Sequence, residues 1–496
     1  MTPMGGQAQY TNVVGGIEQY KFASRCKMIH GWFGLDGQYH IAYLCETNLY
    51  VDTGGTLTEI TPADGIAAPS GLVGGYGDGL YSADLYGTER SIPGSVAITK
   101  IPDAYSLDNF GSILYAMTSA DSRLLMWDPA VGGPAVEQPT SVGSVPRARC
   151  FVVTQERFIM MFGTTQDGTT GGGSARRFAW CDQENPGAWD YANVTSQAGF
   201  LDVEPASPII CAQASRTGVI FWTAKKAYAS RFLGIPYVYN YVELADATTP
   251  WSPQSVATTS ALTLWMSEQG VFSYDGTSIL PVACKIRPWI DDGIDPISVR
   301  ELSFAAHLGE YNEWWWFFPT LNSPYNSRVA VYNYKEGWWT QARMSRSAGI
   351  TSSYTSHPIF ADDTVAFQHE VGVVYANLNM PVVAPFAESF DLNLTSGSQL
   401  ITVKQMIPDV EAVDASDPTA IANIIGNLRY SLFYRNSRSL GRPELQTPWI
   451  TPRPDGFVDF RTTGRDIRLR LDVASAVVEP WTLGQHLIDA VPRGDR

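Results

Sequence analysis

Asn312-Glu313-Trp314-Trp315-Trp316-Phe317-Phe318-Pro319, NEWWWFFP, sets three tryptophans and two phenylalanines in an unbroken row. A half-solvated strand alternates apolar and polar residues, so this one must be covered on both faces. Pro319 ends it, and the following NSPYN has the composition of a turn. Burial of five such side chains is worth on the order of 10 kcal/mol before conformational entropy is subtracted. Trp314, Trp315, Trp316, Phe317 and Phe318 are therefore expected in the core, between stacked sheets. A platform on which a ligand stacks is the alternative use of such a stripe.

Working outward, short runs rich in Val, Ile, Tyr, Phe, Trp and Thr alternate with Gly, Asp, Asn and Pro along almost the whole chain, which predicts an all-β protein. The clearest helical stretch is TAIANIIGNL, residues 419–428. A loose repeat is visible: an apolar run ending in an aromatic, a small polar or acidic residue, a turn and a second strand. Its aromatic anchors are Tyr50, Trp127, Trp180, Tyr228, Tyr274, Tyr332 and Tyr375, at intervals of 77, 53, 48, 46, 58 and 43 residues. Units of about 45–55 residues, each giving several strands, predict the blades of a β-propeller. Two β-sandwiches would show the turns without the spacing.

The expected organisation is an N-terminal segment 1–38, extended or completing a blade, then an irregular propeller of six to seven blades over 39–384. A Gly-rich loop insertion around 64–105 explains the long first interval. A small C-terminal β-sandwich-like domain follows at 385–496. There QLITVKQMIPDV, NLRYSLFYRN, GFVDFR, RDIRLRLDVA and PWTLGQHLIDAV read as strands. Ile467, Leu469 and Leu471 alternate with Arg468, Arg470 and Asp472, so one face is buried and the other charged.

Composition bounds the function. The 496 residues carry 45% hydrophobic side chains and a net charge of −15, which is not the balance of a tight nucleic-acid binder. It suits a soluble acidic protein, or a surface past which a polyanion slides. Residues 427–496 hold 11 Arg, no Lys and 8 acidic residues, net +3, leaving −18 for the rest. Arg468 and Arg470 are thus candidates for docking an acidic partner, or simply guard an edge against pairing. The six cysteines have no CxxC pair and read as small buried residues in a reducing compartment. No apolar run approaches a membrane span, and MTPMGGQAQY lacks the regions of a signal peptide, so synthesis in a cytoplasm is expected.

Motifs for catalysis are sparse. HExxH, GxSxG, Walker A and a correctly set GxGxxG are absent. GTTGGGSARR has neither the Lys-Ser/Thr nor the helix of a phosphate cradle. His357 and His369 with Asp362 and Asp363 make a conceivable metal site but fit a surface loop better. Asp291-Asp292 and Asp362-Asp363 are acidic pairs, and the Asp-box of sialidase propellers is missing. The expectation is no enzyme, no cofactor and no metal.

The order SLDNFGSILYAM, LLMWDP, VTQERFIMMFG, FAWCDQENPGAWD, LWMSEQGVFSYDG and NEWWWFFP…SRVAVYNYKEGWWT resembles the β-propeller tail proteins of short-tailed bacteriophages, the tail nozzle or packaged-DNA stabilisation proteins. The closing VDFRTTGRDIRLRLDV…EPWTLGQHLIDAVPRGDR resembles their C-terminal segment. The resemblance covers about residues 40–496. It implies a structural protein of the virion tail, made in the host cytoplasm. Six copies would form a ring below the portal and adaptor rings. That ring would conduct and seal packaged genomic DNA without binding it specifically, and dock fibres or a plug. The Gly-rich insertion, with Tyr76, Asp78, Tyr81, Asp84 and Tyr86, would line the channel, touch a neighbour or remain a plain loop. A carbohydrate-binding or depolymerising propeller and a monomeric cellular scaffold are the competing functions.

Overall fold

A computed structural model describes residues 7–9, 11–12, 18–69, 101–166, 172–205, 207–246, 248–321, 323–351, 355, 357–369, 386–389, 391–392, 399–412, 418–436, 444–473, 481–484 and 486–493. In it, seven four-stranded sheets are built in succession from residues 7–369. Five are meanders of four consecutive strands, for example Cys26–Phe33, Tyr39–Cys45, Leu49–Thr53 and Thr56–Glu59, while the third blade passes over Ala188–Trp189 and takes Gly199–Asp202 as its fourth strand. The seventh has Ala348–Ile350, Ile359–Asp362 and Val365–His369, and takes its fourth strand, Gln7–Gln9, from the start of the chain.

The first strands of the sheets are Cys26–Phe33, Tyr105–Phe110, Cys150–Val153, Ile209–Ser215, Val256–Thr258, Phe304–Leu308 and Ala348–Ile350. Each touches the next, and the last touches the first, so they form a closed ring. That closure makes the fold a seven-bladed β-propeller.

The N-terminal residues lock the ring. Phe22 N donates to Thr364 O at 2.8 Å, Ala366 N donates to Tyr20 O at 3.3 Å and Cys26 N donates to Asp363 O at 2.8 Å. The Phe22 ring lies 5.0 Å from Tyr43 and 5.4 Å from Tyr50. Residues 20–26 thus bind the last blade and pack on the first. The first blade begins at Cys26, within the segment 1–38 expected to be extended or to complete a blade. CKMIHGWF carries Lys27 and His30 and hides its strand character because it is covered on both sides.

The opening stretch is the second strand of the sixth blade, Glu313–Phe318, and all five aromatics are at most 2% exposed. Trp314, Trp316 and Phe318 pack with Trp251, Leu264 and Met266 of the fifth blade and its lead-in. On the opposite face Trp315 and Phe317 lie 6.0 and 5.7 Å from Phe360 of the seventh blade. Phe317 also stacks on Phe304 at 4.6 Å. Coverage by two neighbouring sheets is what lets a strand dispense with alternation.

The C-terminal strands belong to a second compact unit. One sheet runs Phe386–Glu388, Asp466–Val473, Leu428–Arg435, Leu445–Gln446, and the other Val458–Gly464, Leu400–Ile407, Leu487–Arg493. Ile401, Val403, Met406, Tyr430, Leu432, Val458, Ile467, Leu469 and Leu471 share one core, as in a β-sandwich. Pro418–Asn427 is the longest helix among the described residues, and its Ile424 joins that core.

Candidate functional site

The propeller axis is the first place to look for a conduit, and it is too narrow. Its cavity, lined by residues from all seven first strands or their lead-ins, has a volume of about 150 Å³. That is room for about five waters, whereas the major groove of a DNA duplex alone is about 12 Å wide. The propeller's own axis therefore offers no passage for a duplex. At the cavity wall Lys27 sits at a β-bulge, its Nζ 3.4 Å from Glu46 Oε1 and 3.3 Å from Glu301 O. Burial lowers the lysine's pKa, and Glu46 acts against that shift. Asp108 accepts from Asn109 N at 2.8 Å and Val153 N at 3.3 Å, tying the second and third blades.

The second place is a projecting hairpin on the fourth blade. Lys226–Gly234 and Val238–Asp246 are nine residues each, whereas the third strands of the other blades have three to seven. The pairing is regular enough to hold them together, with bulges at Ala227/Tyr228 and Phe232/Gly234. Gly234, at φ +80°, makes the turn that a side chain would strain. Phe232 anchors the base, 5.9 Å from Phe158 and 5.4 Å from Tyr239. Beyond it, Leu233, Ile235 and Tyr237 are 56%, 75% and 76% exposed. Three large apolar side chains within five residues of a well-rooted tip form an apolar projection of the kind that marks an interaction site. In the sequence this stretch shows only as the repeat unit anchored by Tyr228, and the local sign of the tip is the uncharged LGIPY at 233–237.

Arg468 and Arg470 are heavily engaged. Arg468 Nε is 2.9 Å from Glu388 Oε1 and its Nη2 2.6 Å from Glu444 Oε2, over the Phe433 ring at 5.1 Å. Arg470 Nε is 2.9 Å from Asp472 Oδ1, its Nη1 3.5 Å from Glu388 Oε2, and its guanidinium lies over Phe386 at 4.5 Å. An acidic partner would have to displace three carboxylates the chain already supplies, so this face is a weak docking candidate. Tyr76, Asp78, Tyr81, Asp84, Tyr86 and the anchor Tyr375 lie outside the described residues. Asp362 is buried, accepting from Ser345 Oγ at 2.6 Å, and Asp363 pairs with Arg25, so this acidic pair is structural. Asp291 pairs with Arg287 at 2.8 Å. Among the described residues no group of three His, Cys, Asp or Glu could hold a metal ion, and no helix is long and apolar enough to cross a membrane.

With this geometry in view, comparison with known proteins adds the architecture. No family model matches the chain, and no curated protein does. Among solved structures the chain is similar to a streptogramin B lyase, at 8% identity over 71% of this chain and 97% of that one, with a TM-score of 0.40. A catalytically inactive virginiamycin B lyase from Staphylococcus aureus with quinupristin gives 8%, 71%, 98% and 0.39. The dihydro-heme d1 dehydrogenase NirN in complex with DHE gives 10%, 72%, 63% and 0.34. All three are enzymes by name, which goes against the expectation that this chain is not an enzyme. At these scores the likeness reaches the fold alone and assigns no activity to the chain.

One titratable group on the sixth blade gives a pH prediction. The His307 ring lies tilted against Trp314 at 4.6 Å, its Nε2 is buried without a hydrogen-bond partner, and burial lowers its pKa to about 4. The unfolded chain protonates this imidazole near pH 6.5, so the neutral native form loses relative stability as the pH falls from about 6.5 to about 4. The stability difference between the wild type and His307→Phe is expected to shift toward the variant across that window. Thermal melts of both proteins at pH 7, 5.5 and 4 measure it, and a pH-independent difference would contradict the assignment.

Proposed function

We propose that this chain is a ring-forming component of a short-tailed phage tail, of the nozzle type. Copies of the chain surround the path of the duplex below the portal and adaptor rings, and the assembled ring offers its outer surface to fibres or a plug. The reading is supported by the sequence resemblance along residues 40–496 and by the closed seven-bladed body. The negative charge outside the C-terminal residues suits a wall that DNA slides past. The observation that carries it is the hairpin tip at Leu233, Ile235 and Tyr237. An apolar projection that the fold itself does not cover calls for a partner, and head-to-tail contact between copies closes into a ring when the rotation allows.

The test is native mass spectrometry of the purified chain, alone and with portal and adaptor. The wild type is expected to form six-copy rings. Ile235→Asp with Tyr237→Ser is expected to remain monomeric with an unchanged unfolding midpoint, because both side chains already face solvent. A wild type that stays monomeric in every mixture contradicts the proposal, as does release of saccharide from a host polysaccharide by the monomer.

A further inference from the structure

Cys26 and Cys45 face each other across the first two strands of the first blade, directly opposite in register. Neither backbone amide bonds to the other residue: Cys26 N donates to Asp363 O and Cys45 N to Asn48 O, while Glu46 N donates to Arg25 O. That pattern marks a non-hydrogen-bonded antiparallel pair, in which the Cα atoms approach to about 4.5 Å. This spacing falls within the range of about 4.4–6.8 Å that disulfides span without backbone movement. Both residues are 0% exposed and sit in the cluster of Tyr20, Phe22, Tyr43 and Tyr50, where residues 20–26 bind the last blade. Both are free thiols in the structure.

We infer that Cys26 and Cys45 are a redox pair whose disulfide staples the root of the ring-closing segment to the first blade. With glutathione disulfide as oxidant, one cysteine thiolate attacks a glutathione sulfur and releases one glutathione thiol. The second cysteine then displaces the other glutathione, so two cysteine thiols become one disulfide and two glutathione thiols form. Burial raises the Cys45 thiol well above its usual range, so the native protein reacts slowly and the bond forms when residues 20–26 detach. The other four cysteines serve as an internal control.

The experiment incubates the reduced protein with glutathione disulfide, natively and during refolding, then blocks free thiols and maps the peptides by mass spectrometry. The expected product is a single Cys26–Cys45 linked peptide with the remaining cysteines alkylated, formed faster on refolding and faster in Phe22→Ala. The oxidised protein is expected to melt at a higher temperature than the reduced one, and Cys45→Ser to show neither the link nor the shift. Free Cys26 and Cys45 after oxidative refolding, or only mixed disulfides with glutathione, would overturn the inference. The outcome is independent of whether the chain forms rings.

Discussion

Trp316→Ala is expected to lower the stability of the propeller by about 3–5 kcal/mol, the usual loss for truncating a buried tryptophan. The side chain is 1% exposed and stacks on Trp339 at 5.9 Å. Its Nε1 donates to Ser255 O at 3.2 Å, reaching from the sixth blade to the residue that leads into the fifth. The substitution therefore opens a cavity between two blades and strands a buried carbonyl. Denaturant unfolding followed by circular dichroism reads the change. A shift below about 1 kcal/mol would mean that the aromatic row does not hold the blades together.

Asp362→Ala is expected to cost a similar amount for an electrostatic reason. Arg346 is fully buried, its Nη1 3.8 Å from Asp362 Oδ2, and its guanidinium lies over the Phe367 ring at 4.6 Å. Burial lowers its pKa to about 10, with Asp362 opposing the shift. Removing the carboxylate leaves a cation in the interior with that counter-charge gone, which costs about 3–5 kcal/mol. The double variant Arg346→Met, Asp362→Ala is expected to recover most of the loss, because an apolar replacement of a buried pair is close to neutral. Equal destabilisation in the single and double variants would contradict this account.

These two sites differ in how far the sequence announced them. The row Trp314–Phe318 reads as core ahead of a stacking platform, and the spacing of aromatic anchors follows the architecture closely. Tyr50, Trp127, Trp180, Tyr228, Tyr274 and Tyr332 each fall in the third strand of successive blades. Each blade repeats the same four-strand meander, so a residue that fills the gap to the next blade recurs once per unit. The C-terminal strand Asp466–Val473 was equally legible because one face is wet, and period-two alternation survives there.

Features made by long-range closure were not legible. Residues 20–26 meet strands more than three hundred positions away, and nothing local in QYKFASRC says so. Arg346 sits in RMSRS, whose composition reads as a solvated loop; only the fold shows that it is sealed beside Asp362. Arg468 and Arg470 looked available because their carboxylate partners are distant in sequence, Glu388 on another strand and Glu444 just before the strand Leu445–Gln446. The facing of Cys26 and Cys45 is a matter of register, which the bulge at Lys27 shifts. The hairpin tip needed the exposure of Leu233, Ile235 and Tyr237 to stand apart from ordinary strand residues.

The central claim is that propellers of this kind surround a passage that none of them contains. Electron cryomicroscopy of the chain assembled with portal, adaptor and packaged DNA tests it most directly. The account predicts a ring of copies with the tip at residues 233–237 buried at subunit contacts and duplex density in the space between propellers. Isolated propellers beside the particle, or a ring in which that tip points to bulk solvent, would contradict it.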